Sequence, residues 1–142
     1  MKAGSVTDDT EQAFVLAARL IEDHGRIDND AYAQDLLRWE AKMKEKARWT
    51  CSAHPPRPLC SAGGRVDPEL TGRFGTTNGG AMRATPVGDR FIPGNALAEE
   101  AWRSCVVTHN TMQGIESTTL VAAAVSLAIA GERGFLSKAL AF

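Results

Sequence analysis

The sequence predicts an all-α protein, on three observations. Apolar residues recur at helical spacing in four segments, Gly- and Pro-rich corners separate those segments, and no stretch alternates apolar and polar residues as a half-buried strand does. At 142 residues the chain is long enough for one domain with a real core.

The first helix is predicted from about Thr10 to His24. Ala13, Phe14, Leu16, Ala17, Leu20 and Ile21 make a broad apolar face, and Gly25 stands where a left-handed cap would stop it. Asp8 and Asp9 occupy its entry, where the helix dipole favours carboxylates. A second helix starts with Asp28 as N-cap, with Ile27 placed to staple onto Tyr32. It carries Ala33, Leu36, Leu37, Trp39 and Met43 into the basic stretch Lys42 to Arg48, read as a solvated face or a frayed end. Residues 50–66 contain His-Pro-Pro-Arg-Pro and Gly63-Gly64 and read as a loop. Asp67-Pro68 then resembles an N-cap followed by proline at the first helical position, and Gly72 and Gly75 keep that helix short.

After the corner Asn78-Gly79-Gly80, residues Ala81 to Thr85 are predicted helical until Pro86 perturbs the turn. Asn95 caps a further helix bearing Leu97, Ala101, Trp102, Cys105 and Val106, which ends near Thr108. An apolar helix runs from about Gln113 to Ala130 and stops at Gly131; its small residues Ala122 to Ala124 suit close packing. Phe135 to Phe142 begins another apolar pattern. An apolar helical face needs a partner, so residues 1–142 are expected to be part of a larger domain, with uncovered faces that favour self-association.

Composition narrows the function. With 44% apolar and 23% charged residues and a net charge of −1, the chain lacks the basic surplus that phosphate neutralisation requires, and no nucleic-acid partner is expected. The longest dense apolar run, Leu120 to Ala130, is too short to span a bilayer, and no signal peptide opens the chain. Three cysteines, Cys51, Cys60 and Cys105, make no even-numbered disulfide framework and fit a reducing cytoplasm.

Three constellations carry chemistry. Thr7-Asp8-Asp9-Thr10 concentrates hard oxygen donors in one helical turn, the type of ligand that Mg²⁺ or Mn²⁺ prefers. The same residues are good helix caps. In Thr76-Thr77-Asn78-Gly79-Gly80-Ala81-Met82-Arg83, paired glycines let a ligand approach the backbone, and helix-starting N–H groups can hold a pyrophosphate or ribose oxygen. The plainer reading is a tight turn with Arg83 on a solvated face. His109, in Val-Val-Thr-His-Asn, reads either as a structural hydrogen-bonder or as a helix-end charge. His54 with Cys51 and Cys60 gives three candidate ligands in no familiar four-ligand pattern, so zinc is rejected. Trp39, Trp49 and Trp102 are read as packing residues.

In this order and spacing the three motifs resemble the ADP-ribosylglycohydrolase family, over about Gly4 to Gly131. Asn-Gly-Gly-Ala-Met-Arg matches the family signature, whereas Gly75 and Thr76 stand where relatives place an aromatic or serine; Phe74 is near enough to substitute in adenine stacking. The resemblance implies an orthogonal helical assembly and hydrolysis of the glycosidic bond between ADP-ribose and a protein side chain or small acceptor. It implies a two-ion Mg²⁺ or Mn²⁺ centre with Thr7, Asp8 and Asp9 as ligands, Asp8 and Asp9 serving catalysis, and Gly75, Thr76, Asn78, Gly79, Gly80 and His109 binding the substrate. It further implies a glycine-rich N-terminal helix before residue 1 and a second acidic motif, of Asp-x-Asp-Thr type, beyond Phe142. The chain is therefore expected to be a gene fragment or a degenerate relative, feeble or dead as a catalyst. The alternative expectation is a non-catalytic ADP-ribose binder or a structural, crystallin-like helical protein.

Overall fold

A computed structural model describes residues 6–45, 70 and 72–142. Among them are six α-helices and one 3₁₀ turn, and no strand: α1 (Asp8–Glu22), α2 (Asn29–Glu45), the 3₁₀ turn Ala81–Arg83, α3 (Thr85–Arg90), α4 (Asn95–His109), α5 (Met112–Ile129) and α6 (Phe135–Leu140). The all-α expectation is met. The loop at 50–66, the Asp67-Pro68 start, and Trp49, Cys51, His54 and Cys60 lie outside the described residues.

Helix α1 begins two residues earlier than the apolar pattern suggests, because Asp8 and Asp9 sit in its first turn, where carboxylates suit the dipole. It ends where His24 (φ 55°) and Gly25 (φ 97°) turn left-handed, and the Gly25 amide donates to the Leu20 carbonyl. The expected broad apolar face is narrower in the fold. Gln12, Leu16 and Leu20 are buried, while Phe14 and Ile21 are 69% and 76% exposed. Asp28 caps α2 as expected, its Oδ1 accepting from the Ala31 amide at 2.8 Å, and Ile27 and Tyr32 are both fully buried in the core. Arg19 joins α1 to α2 through Asp35 at 2.6 Å, and Trp39 Nε1 donates to Glu11 at 3.0 Å. Lys42 and Lys44 are exposed.

Pro86 starts a helix instead of ending one. It lies at the opening of α3, where the missing N–H has no intrahelical partner to lose. Asn95 is the first residue inside α4 and does not cap it; Gly94 holds the cap position and no side chain bonds the free amides. Thr111 does cap α5, accepting from the Gly114 amide at 3.2 Å, and Gly131 (φ 73°) follows its end. By length and composition alone α5 is apolar enough to cross a membrane, which the shorter run Leu120 to Ala130 does not suggest. Here its small-residue face, with Gly114, Thr118, Ala122, Ala123 and Ser126 buried, packs against α3, α4, α6 and the 3₁₀ turn.

Helix α1 packs on α2, the 3₁₀ turn and α3, and α2 also reaches α4. The core between these layers is built from Leu16, Leu20, Ile27, Tyr32, Leu97 and Val106. Glu100, itself buried, accepts from the Ile27 amide at 2.8 Å and so pins the α1–α2 turn onto α4. This stacking sets the first turns of α1, the 3₁₀ turn and the C-terminal end of α4 side by side.

Candidate functional site

The second and third sequence motifs fold onto each other. The Gly72 carbonyl accepts from the Gly75 amide at 3.0 Å and from the Asn110 amide at 2.8 Å, and the Thr111 hydroxyl donates to the Gly75 carbonyl at 2.6 Å. These bonds clamp loop 72–80 to the α4–α5 corner. The glycines of the loop are required by that clamp. A Cβ at Gly79 would stand 2.3 Å from His109 Cε1, one at Gly75 would stand 2.3 Å from the Thr108 carbonyl oxygen, and one at Gly80 would stand 2.2 Å from Thr118 Oγ1. Gly79 is buried, and the space that a side chain there would need is filled by the His109 imidazole. Thr76, Thr77 and Asn78 face outward and are exposed.

His109 is half-buried in this corner. Its Nε2 lies 2.8 Å from Thr77 Oγ1 and its Nδ1 lies 2.8 Å from Thr108 Oγ1. Burial, with the Arg83 guanidinium as a second cause, pushes its pKa down to about 4. The ring is thus neutral at neutral pH, a hydrogen-bonder and not a helix-end charge. A ring so reluctant to take a proton is also a poor general base.

Arg83 is not on a solvated face. It is 1% exposed, its Nη1 donates to Gln12 Oε1 at 2.9 Å, and its Nη2 donates to the Ser104 carbonyl at 3.0 Å and to Thr108 Oγ1 at 2.5 Å. The guanidinium also lies 5.6 Å from the Tyr32 ring centroid. Gln12 is four residues after Asp8 on the same face of α1, about 6 Å along its axis. One hydrogen-bonded chain, Gln12–Arg83–Thr108–His109–Thr77, therefore joins the helix that carries the acidic tetrad to the other two motifs. Sequence reading missed Gln12, gave Thr77 and Thr108 no role of their own within the motifs, and offered a solvated Arg83 only as the plainer alternative. The only signal for Gln12 was its spacing from Asp8, and an arginine in a Gly-Ala-Met context carries none for burial.

Thr7 occupies the N-cap position of α1, but its side chain caps no amide; its hydroxyl donates to Asp9 Oδ2 at 3.1 Å. Asp8 is half-buried and Asp9 exposed. Among the described residues no group of three or more His, Cys, Asp or Glu side chains is placed to hold a metal ion. The turn from Thr7 to Asp9 brings hard oxygens together in one helical turn, chemistry that suits part of a divalent-cation site and does not make a whole one.

The chain matches the ADP-ribosylglycohydrolase family along residues 1–142. It belongs to that family. It is 32% identical over 135 residues to YegU, an uncharacterized protein of Escherichia coli (strain K12); the match covers 89% of this chain and 38% of the relative's length. No solved structure matches. The hydrogen-bonded chain runs through the corner where the motif Asn78 to Arg83 meets His109.

Proposed function

We propose that this chain binds ADP-ribose over loop 75–80 and beside the Thr7–Asp9 turn, as part of a hydrolase that cleaves the glycosidic bond of an ADP-ribosylated side chain or small acceptor. The observation that carries the reading is the hydrogen-bonded chain from Gln12 to Thr77, which ties α1, one turn after the acidic tetrad, to the glycine motif and to the His109 corner. Rigid placement of binding groups on helix ends is what recognition of a polar, many-oxygened ligand requires. Thr76 and Asn78, exposed on the loop, would meet the ligand; Gly75, Gly79 and Gly80 would set the loop's closeness to His109.

Thr7, Asp8 and Asp9 would contribute ligands to an Mg²⁺ or Mn²⁺ site. Such an ion, when bound, polarises oxygens and lowers the pKa of water. Because the described residues gather fewer than three His, Cys, Asp or Glu ligands at this turn, turnover by this chain alone should be feeble. That short donor set also favours a second reading, a binder of ADP-ribose without catalysis. Calorimetric titration with ADP-ribose, with and without Mg²⁺ or Mn²⁺, tests the binding; no heat at millimolar ligand would end the proposal. An assay against ADP-ribosylated arginine and serine peptides separates the two readings. Metal-dependent release of ADP-ribose at ordinary enzymatic rates supports the hydrolase, and binding without release supports the second reading.

A further inference from the structure

The buried Arg83 cation is surrounded by neutral oxygens: the Gln12 amide, the Ser104 carbonyl and the Thr108 hydroxyl. A guanidinium can only donate, so Thr108 Oγ1 accepts from it. The Thr108 hydroxyl proton then has His109 Nδ1, 2.8 Å away, as its partner. Nδ1 must accept, which places the ring proton on Nε2. That N–H donates to Thr77 Oγ1 at 2.8 Å. With its lone pair so engaged, the exposed Thr77 hydroxyl turns its own proton outward.

We propose that Arg83 sets the direction of this relay and thereby makes Thr77 a fixed hydrogen-bond donor to a phosphate or ribose oxygen of the ligand. The ligand half of the statement rests on the ADP-ribose reading above. The reverse relay is disfavoured on two counts. It leaves the Thr108 proton without a partner in the relay, and it points the oxygen end of the exposed Thr77 dipole outward, where it would repel phosphate. The forward relay aligns every O–H and N–H bond away from Arg83, so each polarises the next. The low pKa of His109 agrees with this, because a neutral ring keeps one nitrogen as an acceptor. Arg83 is a positioning residue here, and Thr77 is the group that touches the ligand.

Nitrogen-15 NMR of the His109 ring, on the whole chain at neutral pH, reads the relay directly. A bare Nδ1 and a protonated Nε2 are expected; a protonated Nδ1 with a bare Nε2 overturns the proposal. In Arg83→Met the single tautomer should give way to a mixture, and an unchanged tautomer removes Arg83 from the role. Should that variant not fold, Thr108→Val breaks the same link with Arg83 in place and must also lose the preference. Calorimetry with ADP-ribose tests the donor: Thr77→Val should weaken binding about tenfold and Thr77→Ser should restore it. Equal binding by Thr77→Val and the parent refutes the donor role. If the parent itself binds no ADP-ribose, the ADP-ribose reading fails and the donor role with it, while the relay direction is still decided by the ring nitrogens.

Discussion

His109 occupies the space that a side chain at position 79 would need: a Cβ on Gly79 would stand 2.3 Å from its Cε1 and 2.8 Å from its Nε2. The signature glycine and the histidine are therefore one packing unit. Gly79→Ala is expected to destabilise the chain by about 1–3 kcal/mol, the usual cost of overfilling a packed site. Adding His109→Ala to Gly79→Ala should return part of that loss. Urea unfolding of the two single variants and the double variant measures the coupling, and simple additivity would contradict the contact.

The depressed pKa of His109 makes stability depend on pH. Its folded value of about 4 lies below the ordinary 6.5, so the unfolded chain binds the proton first as pH falls. The contribution is complete above about 6.5 and is lost as pH falls toward 4. Glu100, whose pKa burial raises, titrates with the opposite sign, so the comparison is between chains that share it. The urea midpoint should fall more steeply between neutral pH and pH of about 4.5 for the parent than for His109→Gln.

Asp8 lies in the first turn of α1, where a carboxylate is worth roughly 0.3–2 kcal/mol to the helix. Asp8→Ala should therefore keep the helical circular-dichroism signal nearly intact. It should also abolish any gain in ADP-ribose affinity on adding Mn²⁺. A variant that still responds to Mn²⁺ like the parent would remove Asp8 from the metal site.

Much of the architecture was legible because it rests on local rules. Asp28 as a cap, Gly25 as a stop and the apolar run of α5 are each decided within a few residues. What escaped is tertiary. Whether Phe14 faces the core depends on where α2 and α3 lie, and helical spacing alone does not say. Pro86 reads as a breaker until it is known that a helix begins there. Arg83 escaped for the same reason: its partners Gln12, Ser104 and Thr108 come from α1 and α4, far away in the chain. The motifs themselves were visible, but the bonds that join them were not.

Ile129, Leu136 and Leu140 are 61%, 60% and 74% exposed at the α5–α6 end of the molecule. Apolar area of this kind favours association. Sedimentation velocity of the chain is expected to show a concentration-dependent dimer or larger species, which Leu136→Glu and Leu140→Glu together should reduce. A monomer at all concentrations would mean that these side chains are harmless singly.

The clamp between loop 72–80 and the α4–α5 corner has a kinetic consequence. Gly72 and Gly75 find partners in Asn110 and Thr111, so these bonds of the loop form only once both helices have docked. The loop is then among the last parts to assemble, and the Asn110 amide opens to solvent exchange only when that docking comes undone. A nascent chain emerging from the ribosome would show every signature residue of loop 72–80 well before it possessed the loop's native shape.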